Sequence, residues 1–250
     1  MVETSRKGAL VETSALLVAP GLSIVLIAGC GGGGGGGAPT YPGEAAMNAY
    51  LQAAHHSTLH ATDSAGNAYT LQVDRVPQAT QRMFNGTSAY STADTFTLTK
   101  SGSPPAITQS LSFFLLNPYV PVAKVYGEIF GGYYDISPVF SGVVTSSFPL
   151  PTTLTVGDSG VVANVTYSSN RTRAVATVDG YESDTYSVTV DTAWTELLCL
   201  DAAVSGVTSQ GTADGLGSVP ETDCYAVDTS GKATLVAVTK TVAGETLTFR

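Results

Sequence analysis

Short runs that alternate apolar and polar residues, broken by turn signals every 8 to 15 residues, constrain this chain more than any other feature. Tyr69, Leu71 and Val73 alternate with Thr70, Gln72 and Asp74, and Phe96 and Leu98 alternate with Thr95, Thr97 and Thr99. Tyr186, Val188 and Val190 face Thr185, Ser187, Thr189 and Asp191 in the same manner. A two-residue period puts one side of a strand in a core and the other in water, as in antiparallel sheets. A helical period does not intervene, so parallel βαβ folds are excluded. The expectation is an all-β antiparallel meander of roughly ten to thirteen strands, forming a β-sandwich or a partly closed barrel.

The turns carry their own chemistry. Asp179-Gly180 reads as a two-residue hairpin, because a type I′ turn needs positive φ at both central positions. Asp63-Ser64-Ala65-Gly66-Asn67 and Asp228-Thr229-Ser230-Gly231-Lys232 are further turns, and the hairpins around them share one pattern. A single helical stretch, Glu44 to His56, precedes the strands as a short N-terminal helix.

Charge narrows the function classes. The 250 residues include 11 Lys and Arg against 20 Asp and Glu, for a net charge of −9. With so few cations to cluster on phosphates, nucleic acid is not expected as a partner. Charged residues make up 12% of the chain, about half the usual share, while 43% are hydrophobic, so the chain has a core to bury.

The N-terminus reads as an export signal. Arg6 and Lys7 precede an uncharged apolar stretch from Ala15 to Gly29, interrupted by Pro20-Gly21, and Ile27-Ala28-Gly29-Cys30 stands at its end. That string resembles the lipobox of bacterial lipoproteins, and Gly31 to Gly37 follows as an unbroken flexible run. The resemblance covers residues 1 to about 40. It implies a signal peptide over 1–29, a lipidated Cys30 with a Gly-rich tether over 30–43, and a single all-β domain over 44–250. Gly31 after the cysteine, where Asp would favour inner-membrane retention, implies the outer membrane, so the N-terminal lipid makes the membrane a partner.

With Cys30 acylated, Cys199 and Cys224 remain, and an oxidising compartment implies a disulfide between them. Closing the segment from Asp201 to Asp223 would stabilise the fold by about 3 kcal/mol in the chain-entropy model. No CxxC redox motif occurs.

Four constellations carry residue types suited to chemistry. Gly157-Asp158-Ser159-Gly160 resembles the string around the nucleophilic serine of chymotrypsin-like proteases, and Ala53-Ala54-His55 echoes their histidine motif. Those enzymes place strands before the histidine, whereas a tether and a helical stretch precede His55, so the string reads as a tight turn. His55, His56 and His60 cluster as metal ligands do, without a nearby further ligand in sequence, and read as a polar helix end. Asp179, Glu182 and Asp184, like Glu221 and Asp223, could offer oxygens to calcium, but neither set has EF-hand spacing and both read as solvated hairpin charges. Paired carboxylates for glycoside hydrolysis need a separation that sequence does not define.

The fourth is Asn117 to Phe140, where Tyr119, Tyr126, Tyr133 and Tyr134 sit with Phe130 and Phe140 among Gly and Pro. Rings with polar tips on such loops suit a sugar face or a protein surface, and the competing reading is that they close one end of the sandwich. The expectation is therefore an outer-membrane-anchored lipoprotein with a binding or envelope-scaffolding role, an envelope protein or glycan as ligand, no cofactor, and no catalytic or metal site assigned. The alternatives are a periplasmic or surface hydrolase and a carrier of lipid or small ligands in a β-barrel cavity.

Overall fold

The computed structural model describes residues 40–77, 82–84, 87–115, 129–134, 140–169, 178–191, 196–213, 216–217 and 220–250. Its elements run α1 (Gly43–Gln52), β1 (His55–Thr62), β2 (Ala68–Pro77), β3 (Arg82–Phe84), β4 (Thr87–Lys100), β5 (Ala106–Leu115), β6 (Ile129–Tyr134) and β7 (Phe140–Ser147). They continue with β8 (Ser159–Ser169), β9 (Val178–Val190), β10 (Glu196–Ser205), α2 (Ser209–Ala213), β11 (Glu221–Val227), β12 (Ala233–Val242) and β13 (Glu245–Phe249). Each strand from β4 onward bonds the next antiparallel to it, β2 bonds β1 and β4, and β3 pairs only with β4. The expected all-β meander with a short N-terminal helix is the observed fold.

The meander does not close into a barrel. Its two ends touch through one reciprocal pair of backbone bonds, His60 N–H to the Arg250 carbonyl at 2.8 Å and Arg250 N–H to the His60 carbonyl at 2.9 Å. One core lies between β1, β2 and β4 on one side and the later strands on the other. Leu59, Leu71, Val73 and Phe96 pack with Tyr186, Leu198, Val238 and Phe249. A smaller cluster of Val165, Tyr167 and Leu216 sits farther along β8 and its neighbours.

Strand patterning follows the sequence closely on β2, where Tyr69, Leu71 and Val73 are buried with Arg75. On β9, Tyr186 and Val188 are buried as expected, while Val190 at the strand end is exposed. The two Asp turns form as read, with the same chemistry. In the first, Asp63 N–H donates to the Asn67 carbonyl, its carboxylate accepts from Asn67 N and Nδ2, both at 2.7 Å, and Gly66 takes φ +83°. In the second, Asp228 Oδ1 accepts from Ser230 N, Ser230 Oγ and Lys232 N, and Gly231 again takes φ +83°. A hairpin that the sequence did not advertise joins β12 to β13 through Ala243 and Gly244, both at positive φ.

Two expectations are corrected. The helix ends at Gln52, and His55 already opens β1 by pairing with Arg75, because ladder bonding to β2 outweighs the helix preference of Ala53 and Ala54. Asp179-Gly180 is not a turn: it lies inside β9 at a bulge against Tyr167 and Ser168, with Asp179 buried. Ahead of α1, Tyr41 and Leu154 exchange backbone bonds at 2.9 and 2.8 Å. A side chain at Gly43 would meet Leu154 at 1.9 Å, so only glycine lets α1 sit this close.

Candidate functional site

Directly opposed residues in an antiparallel ladder share a face, and this rule assembles the site. Glu182 opposes Val165 on β8 and Val204 on β10, and Asp184 opposes Ala163 and Ala202, all on the side of buried Tyr186 and Val188. On β11, Glu221 opposes Ala202 and Asp223 opposes Leu200. Four carboxyl groups from two strands therefore face the interior, between the main core and the Val165–Tyr167–Leu216 cluster.

Their partners come from other elements. Tyr167 Oη donates to Glu182 at 3.1 Å, and Lys240 on β12 bonds Glu221 at 2.8 Å while its ammonium stands 4.6 Å from the Phe96 ring centroid. Glu182 and Asp184 lie two residues apart on the same face of β9. Asp223 Oδ1 is sealed from solvent with no hydrogen-bond partner.

A second polar node adjoins this belt. Arg75 on β2 is gripped by Asp94 on β4 through both carboxylate oxygens, with Nε at 2.8 Å, and both side chains are buried. The guanidinium lies 5.0 Å over the Tyr50 ring of α1, which stacks on His55 and meets Tyr225 edge-on. The helix thus caps the polar interior with an aromatic group rather than with its backbone.

Burial sets the proton affinities. Desolvation, then the charge of Glu182 and its hydrogen bond, push Asp184 up to about 8. Desolvation and then Glu221 push Asp223 up to about 8, against Lys240 and Arg75. Glu182 is raised by burial, partly offset by bonds from Tyr167 and Asp184. Burial alone would lower Arg75, but the Asp94 charge and hydrogen bonds hold it firmly protonated. Tyr50 is pushed up to about 12, chiefly by burial.

The structure redistributes the residues singled out from sequence. Glu182, Asp184, Glu221 and Asp223, read as two separate sets of solvated charges, converge inside the fold. Their spacing in sequence concealed this, because only the register of β9, β10 and β11 brings them together. Asp179 leaves the set: its Oδ1 accepts from Thr208 Oγ1 at 3.0 Å, and its Oδ2 is sealed without a partner. Among the described residues no group of three or more His, Cys, Asp or Glu is arranged to hold a metal ion.

The histidines lie on β1 rather than on a helix. His55 turns inward, its Nε2–H donating to the Tyr50 carbonyl at 3.0 Å, and burial lowers its pKa. His56 and His60 point to the wet face. His56 Nδ1 is 2.5 Å from Asp74, and its Nε2 is 3.3 Å from Thr58 Oγ1, a hydroxyl, imidazole and carboxylate in line that the sequence reading missed. The signal was there as Thr58 two residues from His56, but Asp74 joins only through the β1–β2 register.

Of Gly157-Asp158-Ser159-Gly160, the first two residues lie in a turn closed by Thr155 and Asp158, and Ser159 and Gly160 already belong to β8. Asp158 accepts from Thr155 N and Oγ1 at 2.8 and 2.9 Å, Gly157 takes φ +99°, and Ser159 is exposed. The Cys199–Cys224 disulfide is formed, between residues directly opposed on β10 and β11. Tyr133 and Tyr134 lie on β6, where only the backbone is described, and Tyr119, Tyr126 and Cys30 lie outside the described residues.

A pocket of about 220 Å³ opens beside the belt, lined by Leu71, Leu98, Lys240, Thr241, Val242 and Ala243. Ligand pockets usually run to several hundred Å³. Comparison with protein-family models, curated proteins and solved structures finds no match.

Proposed function

We propose that the chain is a lipoprotein of the bacterial cell envelope, held at the outer membrane by acyl chains on Cys30, whose β-domain acts by binding or scaffolding. The observation that carries this reading is the disulfide: Cys199 and Cys224 are joined, which suits an oxidising compartment and leaves Cys30 as the cysteine outside the bridge. The ligand surface proposed is the aromatic segment with Tyr119, Tyr126, Tyr133 and Tyr134, for an envelope protein or a glycan.

Intact mass of membrane-extracted protein, before and after reduction and alkylation, tests this. A chain beginning at acylated Cys30, with two thiols that alkylate only after reduction, is expected. An unprocessed chain with three free thiols would overturn it.

A surface hydrolase is the second reading, favoured by the Thr58, His56 and Asp74 alignment. On an open sheet face an oxyanion would meet only water, without the preorganised donors that usually dominate such catalysis. Release of nitrophenol from nitrophenyl acetate above an imidazole background, lost in His56→Ala and kept in His60→Ala, would carry this reading. Equal rates in all three proteins would end it.

A further inference from the structure

Glu182, Asp184, Glu221 and Asp223 share one interior, and the ammonium that reaches them, Lys240, is bonded to Glu221. Arg75 is engaged by Asp94. Two ionised carboxylates can only accept, so Glu182 and Asp184, neighbours on one face of β9, can bond each other only with a proton between them. Asp223 Oδ1 has no donor at all in a sealed position, where a bare negative charge is costly.

We infer that this belt is a proton-linked clamp: one proton bridges Asp184 to Glu182, a second rests on Asp223, and their loss as the medium turns alkaline loosens the β9–β11 wall. The inference rests on the interior alone and is independent of the lipid anchor. The groups facing the belt are Tyr167 from β8, Lys240 from β12, Tyr225 from β11, Arg75 from β2, Asp94 from β4, and Tyr50 and His55 around the helix end. None of the cations among them is placed to replace both protons, because Lys240 already holds Glu221 and Arg75 already holds Asp94.

The sign follows from proton counting. A folded carboxyl raised to about 8 keeps its proton where the unfolded chain has released it, so stability falls as pH climbs from the ordinary carboxylate range to about 8 and then levels. His55 opposes this weakly: its lowered pKa makes stability rise with pH around its ordinary value.

Urea unfolding of the exported, disulfide-bonded protein between about pH 5 and about pH 9 should show the folding constant dropping, by up to about tenfold per pH unit for each retained proton. Asp184→Asn and Asp223→Asn should each flatten that slope, the first keeping a donor towards Glu182. Infrared spectra of the unaltered protein should show a protonated-carboxyl stretch at neutral pH that vanishes in alkali. A flat or rising profile, variants with the original slope, or no such band at neutral pH would overturn the proposal. Should the variants fail to fold, the infrared band decides.

Discussion

Asp63 and Asp184 carry the same carboxyl group on the same meander, yet their surroundings drive them in opposite directions. Asp63 stands in an exposed turn, where its bond from the Asn67 side chain, with the Asn67 N–H and Tyr69 hydroxyl, holds its pKa below the ordinary value. Asp228 repeats this in the second turn, led by its bond from Ser230. Asp184 meets a desolvated interior and another acid, and keeps its proton. A carboxylate with several donors organises a turn as an anion; one with none must be neutral to stay inside.

The strongest way to break this contrast is to remove a buried carboxylate that has a full partner. Asp94→Ala leaves the buried Arg75 guanidinium without its anion, and a loss of about 3–5 kcal/mol in urea unfolding is expected. Replacing both residues by apolar ones should cost less, which separates the pair's net worth from the penalty of orphaning one member. Removal of the disulfide by Cys199→Ala with Cys224→Ala is expected to cost about 2–5 kcal/mol, read from the same melts under oxidising conditions.

The turns should answer more quietly. Gly66→Ala forces a side chain onto φ +83° and should lose about 1 kcal/mol, although nothing crowds the position. Asp63→Asn with Asp228→Asn should flatten the acid limb of the stability profile. Their pKa values are lowered on folding, so their contribution is present above the ordinary carboxylate value and disappears as pH falls through the folded one. A double variant with an unchanged acid limb would show that the turn carboxylates are not linked to folding. The smallest effect is expected at His56→Ala, whose side chain is 59% exposed beside Asp74: a thermal melt within about 0.5 kcal/mol of the parent.

How much of this was legible follows from how far apart the interacting residues lie in the chain. The Asp63 and Asp228 turns were readable because the bonds that close each of them come from within five consecutive residues. Strand faces such as Tyr69, Leu71 and Val73 were readable because period two is local. Asp179-Gly180 misled for the same reason: its dipeptide is a turn signal, but Thr208, 29 residues away, binds its carboxylate and holds it inside β9. The belt was invisible as a unit, although each of its acids was noticed.

Sequence by itself determined the all-β class, the antiparallel meander, the two Asp turns, and the pair of cysteines that bridge. These follow from alternation, from φ preferences and from parity, none of which needs distant contacts. Only the tertiary structure decided that Glu182, Asp184, Glu221 and Asp223 share one interior, that Arg75 is bound to Asp94 beneath the Tyr50 ring, and that His56 lies between Thr58 and Asp74. Each depends on strand register, and a slip of one residue would turn every one of those side chains to the opposite face.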